Sequence, residues 1–101
     1  MIRVIIEYQS KGSPRFLALL RDIRVQAMKQ PSYVSGETLV NTEDRSSIVV
    51  ISTWQSLKEW RNWRASETRA KLEKETEAFL LKEPNMRTYH YLSYLETRSK
   101  K

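Results

Sequence analysis

Apolar residues follow two different periods along this chain, and the switches between them mark its elements. Residues 2–8 are Ile, Val and Tyr, interrupted only by Arg3 and Glu7, a composition and length that suit an extended strand. Lys11-Gly12-Ser13-Pro14 turns the chain, with Ser13 placed to cap a helix and Pro14 suited to its first position. Phe16, Leu19, Leu20, Ile23 and Ala27 then recur at spacings of three and four, which predicts a helix burying one stripe. Gln30-Pro31 stops it. A second strand is predicted over 33–42, a polar turn through Thr42-Glu43-Asp44-Arg45-Ser46, and a third strand over 47–54, together a hairpin. A further helical region opens near Ser56 and is expected to break at Ala65-Ser66, where Ser66 caps a segment running from Glu67 to about Leu81. Pro84 ends it, and Arg87 to Tyr94 form the last strand.

The order is βαββαβ, which predicts an α+β, ferredoxin-like fold: a four-stranded antiparallel sheet with two helices on one face. Val4-Ile5-Ile6 and Ile48-Val49-Val50-Ile51 are unbroken apolar runs, whereas a sheet with one wet face alternates apolar with polar residues. Two helices cover one face only, so the other is expected to pack on the sheet of an identical subunit, giving a homodimer. A chain of 101 residues has room for a single domain, placed here at 1–95. Arg98, Lys100 and Lys101 make residues 96–101 a short basic tail.

The net charge of +6 changes this picture little. Arg61, Arg64, Arg69, Lys71 and Lys74 are interleaved with Glu59, Glu67, Glu73, Glu75 and Glu77, the pattern of a solvated helix face rather than a phosphate-tracking stripe. RNA-recognition modules share the element order, but their first and third strands carry stacking aromatics. Here those strands centre on Val4-Ile5-Ile6 and Val49-Val50-Ile51, so no nucleic-acid partner is expected. The N-terminal apolar stretch is far shorter than a signal peptide core or a membrane span, which points to a cytoplasmic protein with no membrane partner. Cysteine is absent and His90 is the only histidine, which removes disulfides, thiolate nucleophiles and histidine-rich metal sites. Gly-rich phosphate loops, a nucleophile elbow and acidic metal-ligand spacing are missing too, and no bound metal is expected.

Candidate chemistry concentrates in the aromatic residues. Trp54 ends the third strand, and Trp60 and Trp63 follow three residues apart on a helix, so the three indoles wall either a core or a pocket for a small hydrophobic or aromatic ligand. His90 is the one side chain that titrates near neutrality without help and is a candidate general base. Glu7 is another, because a carboxylate on a buried strand face would have its pKa raised by desolvation; a salt bridge to a neighbouring Arg is the alternative. Gly36 inside a strand marks a bulge or a close backbone approach.

Tyr33-Val34-Ser35-Gly36-Glu37-Thr38-Leu39, Ile51-Ser52-Thr53-Trp54, Trp60, Trp63 and Ser66-Glu67-Thr68-Arg69, with Pro31 before them and Glu83-Pro84 after, resemble the antibiotic biosynthesis monooxygenase family across residues 2–94. The resemblance implies a dimeric α+β barrel with its site between sheet and helices. It also implies oxidation of a small aromatic, quinol or polyketide-like compound by molecular oxygen, without a cofactor. Trp63 matches a functional position of the family; Trp54, Trp60, Tyr8 and Glu73 are candidate substrate-binding residues beside it. The family's haem-degrading branch places an Asn on the first strand and a His ten residues beyond the Trp. Here Ile5 or Glu7 and Glu73 stand at those places, so a haem-dependent member would need altered ligation, with Tyr8 or His90 as substitute ligands. A non-catalytic ligand-binding barrel is the third reading.

Overall fold

Each predicted helix start carries the capping bond its sequence calls for. In the computed structural model, which describes residues 1–92, the Ser13 side chain accepts from the Arg15 N–H, Ser56 from Glu59 and Ser66 from Arg69. The elements are β1 (Ile2–Gln9), α1 (Pro14–Met28), β2 (Tyr33–Val40), β3 (Ser47–Trp54), α2 (Leu57–Arg64), α3 (Glu67–Thr76) and β4 (Asn85–His90), with a single 3-10 turn at Glu77–Phe79. The break at Ala65-Ser66 thus divides the second helical region into α2 and α3. The segment predicted to reach Leu81 leaves α-helical geometry at Thr76, whose hydroxyl bonds the Glu73 carbonyl at 2.5 Å. Beyond the 3-10 turn, Leu80 forms an isolated bridge with Ser10. The last strand begins two residues earlier than predicted and ends at His90; Ser93, Tyr94 and the basic tail lie outside the described residues.

The sheet is antiparallel with order β2-β3-β1-β4, the ferredoxin-like arrangement. Period-two alternation sorts β1 by face. Ile2, Val4, Ile6 and Tyr8 are buried against the helices, while Arg3, Ile5, Glu7 and Gln9 take the other face and are only half-buried. Phe16, Leu19, Leu20 and Ala27 of α1 and Trp60 and Trp63 of α2 are buried as well, and all of these but Leu19 belong to one hydrophobic cluster with Ile48 and Trp54. Ile51 pairs with Ile5 across the outer face, and Val49 with Leu39; Leu39 is 47% exposed. The unbroken apolar runs therefore feed two faces, of which the helices cover one.

Candidate active site

Aromatic packing builds one end of the core. Trp54, from the end of β3, meets Tyr33 edge-on at 5.4 Å between ring centroids, tilts against Trp60 at 5.6 Å and stacks with Trp63 at 6.4 Å. Its indole N–H donates to the Ser52 hydroxyl at 3.0 Å. Trp60 and Trp63 lie three apart on α2, so one helix face delivers both rings to the same place. The three indoles are buried and also line a narrow cleft of about 40 Å³ with Tyr33, Arg24 and Arg69. Pockets for drug-sized ligands are several hundred Å³, so a substrate here must widen the cleft.

Gly36 lets Tyr33 reach that position. A Cβ at residue 36 would overlap the Tyr33 hydroxyl and stand 3.1 Å from the Ile51 carbonyl oxygen. Of the two readings for Gly36 it is the close approach that the structure shows; the β2–β3 register shift lies earlier, between Tyr33 and Ser35, and Gly36 itself pairs with Ser52. Arg24 of α1 donates to the Gly36 carbonyl at 2.7 Å, which ties helix to strand at the mouth of the cleft.

Arg24, Glu37 and Arg69 are the charged residues lining the cleft, and the buried one is Arg69, read from sequence as part of a solvated helix face. That reading is corrected: Arg69 is 3% exposed. The break at Ala65 re-aims the chain, and α3 then turns Arg69, Leu72, Glu73 and Thr76 inward, spaced as one helical stripe. Because the stripe is mostly polar, its periodicity is invisible to a hydrophobic pattern. The guanidinium carbon sits 5.3 Å from the centroid of the Trp60 ring, within cation–π range. Its Nη1 donates to the Glu73 carboxylate at 2.6 Å. An i, i+4 Arg–Glu pair next to a run of tryptophans is the signal that was there to be read.

The two partners differ in freedom. The Glu73 side chain is 45% exposed and borders an open groove of about 610 Å³ with Arg64, Leu80, Lys82 and Pro84. Tyr8 is buried on the inner face of β1, edge-on to Phe16 at 5.7 Å. Burial pushes its phenol up to about 12; the positive field of Arg69 opposes that rise and the negative field of Glu73 adds to it. Tyr8 therefore stays protonated at neutral pH, and it is not among the residues that line the cleft.

Glu7 and His90 stand apart from this constellation. Glu7 is on the outer sheet face, half-exposed and hydrogen-bonded to Arg87 of β4, because odd-numbered residues of β1 all point away from the helices. The buried face of the strand is the other one. His90 pairs with Ile2 at the end of β4, is exposed and is not among the cleft residues. Haem does not fit these residues: Glu73, in the place of the haem-ligating histidine, is engaged by Arg69, Tyr8 is buried against Phe16, and His90 stands clear of the cleft. Among the described residues no cluster of three or more His, Asp or Glu side chains is placed to hold a metal.

A four-stranded antiparallel sheet with its helices on one face and an aromatic cleft beneath them defines a ferredoxin-like α+β protein. The chain belongs to the antibiotic biosynthesis monooxygenase family, whose model matches residues 1–90. No curated protein matches it. A crystal structure described as an antibiotic biosynthesis monooxygenase superposes with a TM-score of 0.80 at 18% identity, covering 92% of this chain and 100% of that one. SnoaB, a cofactor-independent oxygenase from Streptomyces nogalater, gives 0.82 at 16% identity over 93% of this chain and 95% of its own. A conserved protein from Methanosarcina mazei Go1 gives 0.82 at 17% over 87% and 89%. At such identities the likeness is one of fold. No described helix is long and apolar enough to cross a membrane.

Proposed function

We propose that this protein is a cofactor-independent oxygenase that oxidises a small phenolic or enolic aromatic compound with molecular oxygen, as a homodimer. The observation that carries this reading is Arg69: a buried cation laid on the Trp60 face at the edge of an aromatic cleft. Chemistry of this kind asks the protein for a dry cavity and a group that stabilises the deprotonated substrate. Trp54, Trp60 and Trp63 exclude water and stack on the ring; Arg69 holds the oxyanion. SnoaB, similar in fold, is described as cofactor-independent.

Written for a ring methylene conjugated with a carbonyl, which loses one proton to become an enolate, the reaction balances without other reactants. The substrate gives a proton to solvent, and its anion passes one electron to dioxygen. The two radicals combine into a carbon-bound peroxide, which takes up a proton to become the hydroperoxide. Loss of water from that carbon leaves C=O, so one O₂ yields one ketone and one water.

Oxygen uptake with anthrone-type phenols and quinols, in the presence of a metal chelator, tests this reading. The expected result is one O₂ consumed per substrate without released peroxide, and a kcat/KM lowered roughly 10- to 100-fold in Trp63→Ala, the scale of a lost positioning contact. Saturable binding of these compounds with no uptake above the spontaneous rate would leave a non-catalytic ligand-binding barrel.

A further inference from the structure

The Arg69–Glu73 pair is asymmetric, and its asymmetry has a chemical consequence. Arg69 is enclosed, with its guanidinium held over Trp60, whereas Glu73 is 45% exposed and borders an open groove. A buried cation needs an anionic partner, because desolvation leaves it uncompensated otherwise. Glu73 supplies that partner in the free protein. The pair also joins two spaces: Arg69 lines the narrow aromatic cleft, and Glu73 lines the groove of about 610 Å³ together with Arg64 and Lys82. A ligand widening the cleft thus meets a buried cation already paired with a half-exposed carboxylate.

We infer that Glu73 is a tethered stand-in for the substrate's negative charge: the ligand enters as an anion, takes the place of the Glu73 carboxylate on Arg69, and the displaced side chain turns into the groove. This inference rests on the reading of the cleft as the ligand site. It adds a rule of selection. A neutral aromatic that pushes Glu73 aside leaves Arg69 buried without a counter-charge, while one carrying an ionised phenol, enol or carboxylate restores it. Arg64 and Lys82 border the groove that receives Glu73, and Glu77 and Glu83 border it as well, so the receiving space is polar rather than of one sign. Glu7 and His90, the side chains that sequence suggested as bases, lie outside the cleft, and a substrate ionised before entry needs neither.

Calorimetric titration with 2-naphthoate and the neutral 2-naphthamide decides the matter. Wild-type protein is expected to prefer naphthoate. Glu73→Gln is expected to bind naphthoate about tenfold tighter, the gain when an internal competitor that fills the site about nine-tenths of the time is removed. Arg69→Met is expected to lose the preference for the anion. If that variant does not fold, Glu73→Gln alone decides. Naphthamide bound as well as naphthoate, or naphthoate bound no tighter by Glu73→Gln, overturns the exchange while leaving the cleft a ligand site. Binding of neither probe by either protein overturns both.

Discussion

Single residues divide by whether their polar atoms were brought inside. Tyr8 was, and its phenol shifts from 10.0 to about 12, chiefly through burial. A group whose folded pKa is raised contributes stability that is intact below its unfolded pKa and lost as pH climbs through the folded one. Between pH 10 and pH 12 the fold should therefore lose about 2–3 kcal/mol on this account. Tyr8→Phe should flatten that alkaline slope in denaturant titrations at a series of pH values, and the slowest phenolate absorbance to appear should vanish with it. A slope unchanged in Tyr8→Phe would place the alkaline loss elsewhere. Arg69 was also brought inside, whereas Arg61 and Arg64 on the neighbouring helix are exposed, so burial and not residue type sets it apart.

Elements act here through their ends. The break between α2 and α3 is what aims Trp63 and Arg69 at the same cleft, and Ser66 fixes it: its hydroxyl accepts from the N–H of Arg69 itself at 3.2 Å. Removing a cap of this kind costs about 1 kcal/mol. Ser66→Ala should lower the unfolding free energy by about that amount, and Ser66→Asp should restore it. Because the capped N–H belongs to the cleft arginine, Ser66→Ala should also weaken naphthoate binding more than Ser13→Ala, the equivalent change at the start of α1. Equal effects of the two caps would show that the break is structural only. Most of this level was legible in the chain: both serine caps, Pro14 at the helix start and the stop at Gln30-Pro31 are local chemistry. The early end of α3 was not, because Glu77 to Leu81 are compatible with a helix, and it is the Leu80 bridge to Ser10, distant in sequence, that draws them away.

At the scale of the whole molecule, the outer sheet face remains. Ile5, Val49 and Ile51 are half-buried there, beside the Arg3–Glu37 pair at 3.6 Å and the Glu7–Arg87 pair. A face with apolar residues at its centre and ion pairs beside them is suited to a second sheet. Light scattering should give a mass of twice 12.0 kDa. Ile51→Lys, half-exposed in the single chain and so tolerated by the fold, should give a monomer with unchanged secondary structure. A wild-type mass of one chain at micromolar concentration would refute the sheet-to-sheet dimer.

The sequence by itself determined the element order, the helix caps, the apolar stripe of α1 and the strand alternation, hence the ferredoxin-like architecture. Those features depend on residues a few positions apart, and local sterics and periodic burial are enough to specify them. It also singled out Trp54, Trp60 and Trp63, which the fold gathers. Only the tertiary structure decided that Glu7 faces away from the helices toward Arg87, that His90 stands clear of the cleft, and that Arg69 is enclosed with Glu73 as its partner. Whether a charged side chain ends in water or in a core depends on which surfaces distant segments bring over it, and the i, i+4 Arg–Glu spacing is shared by exposed pairs and does not by itself decide it.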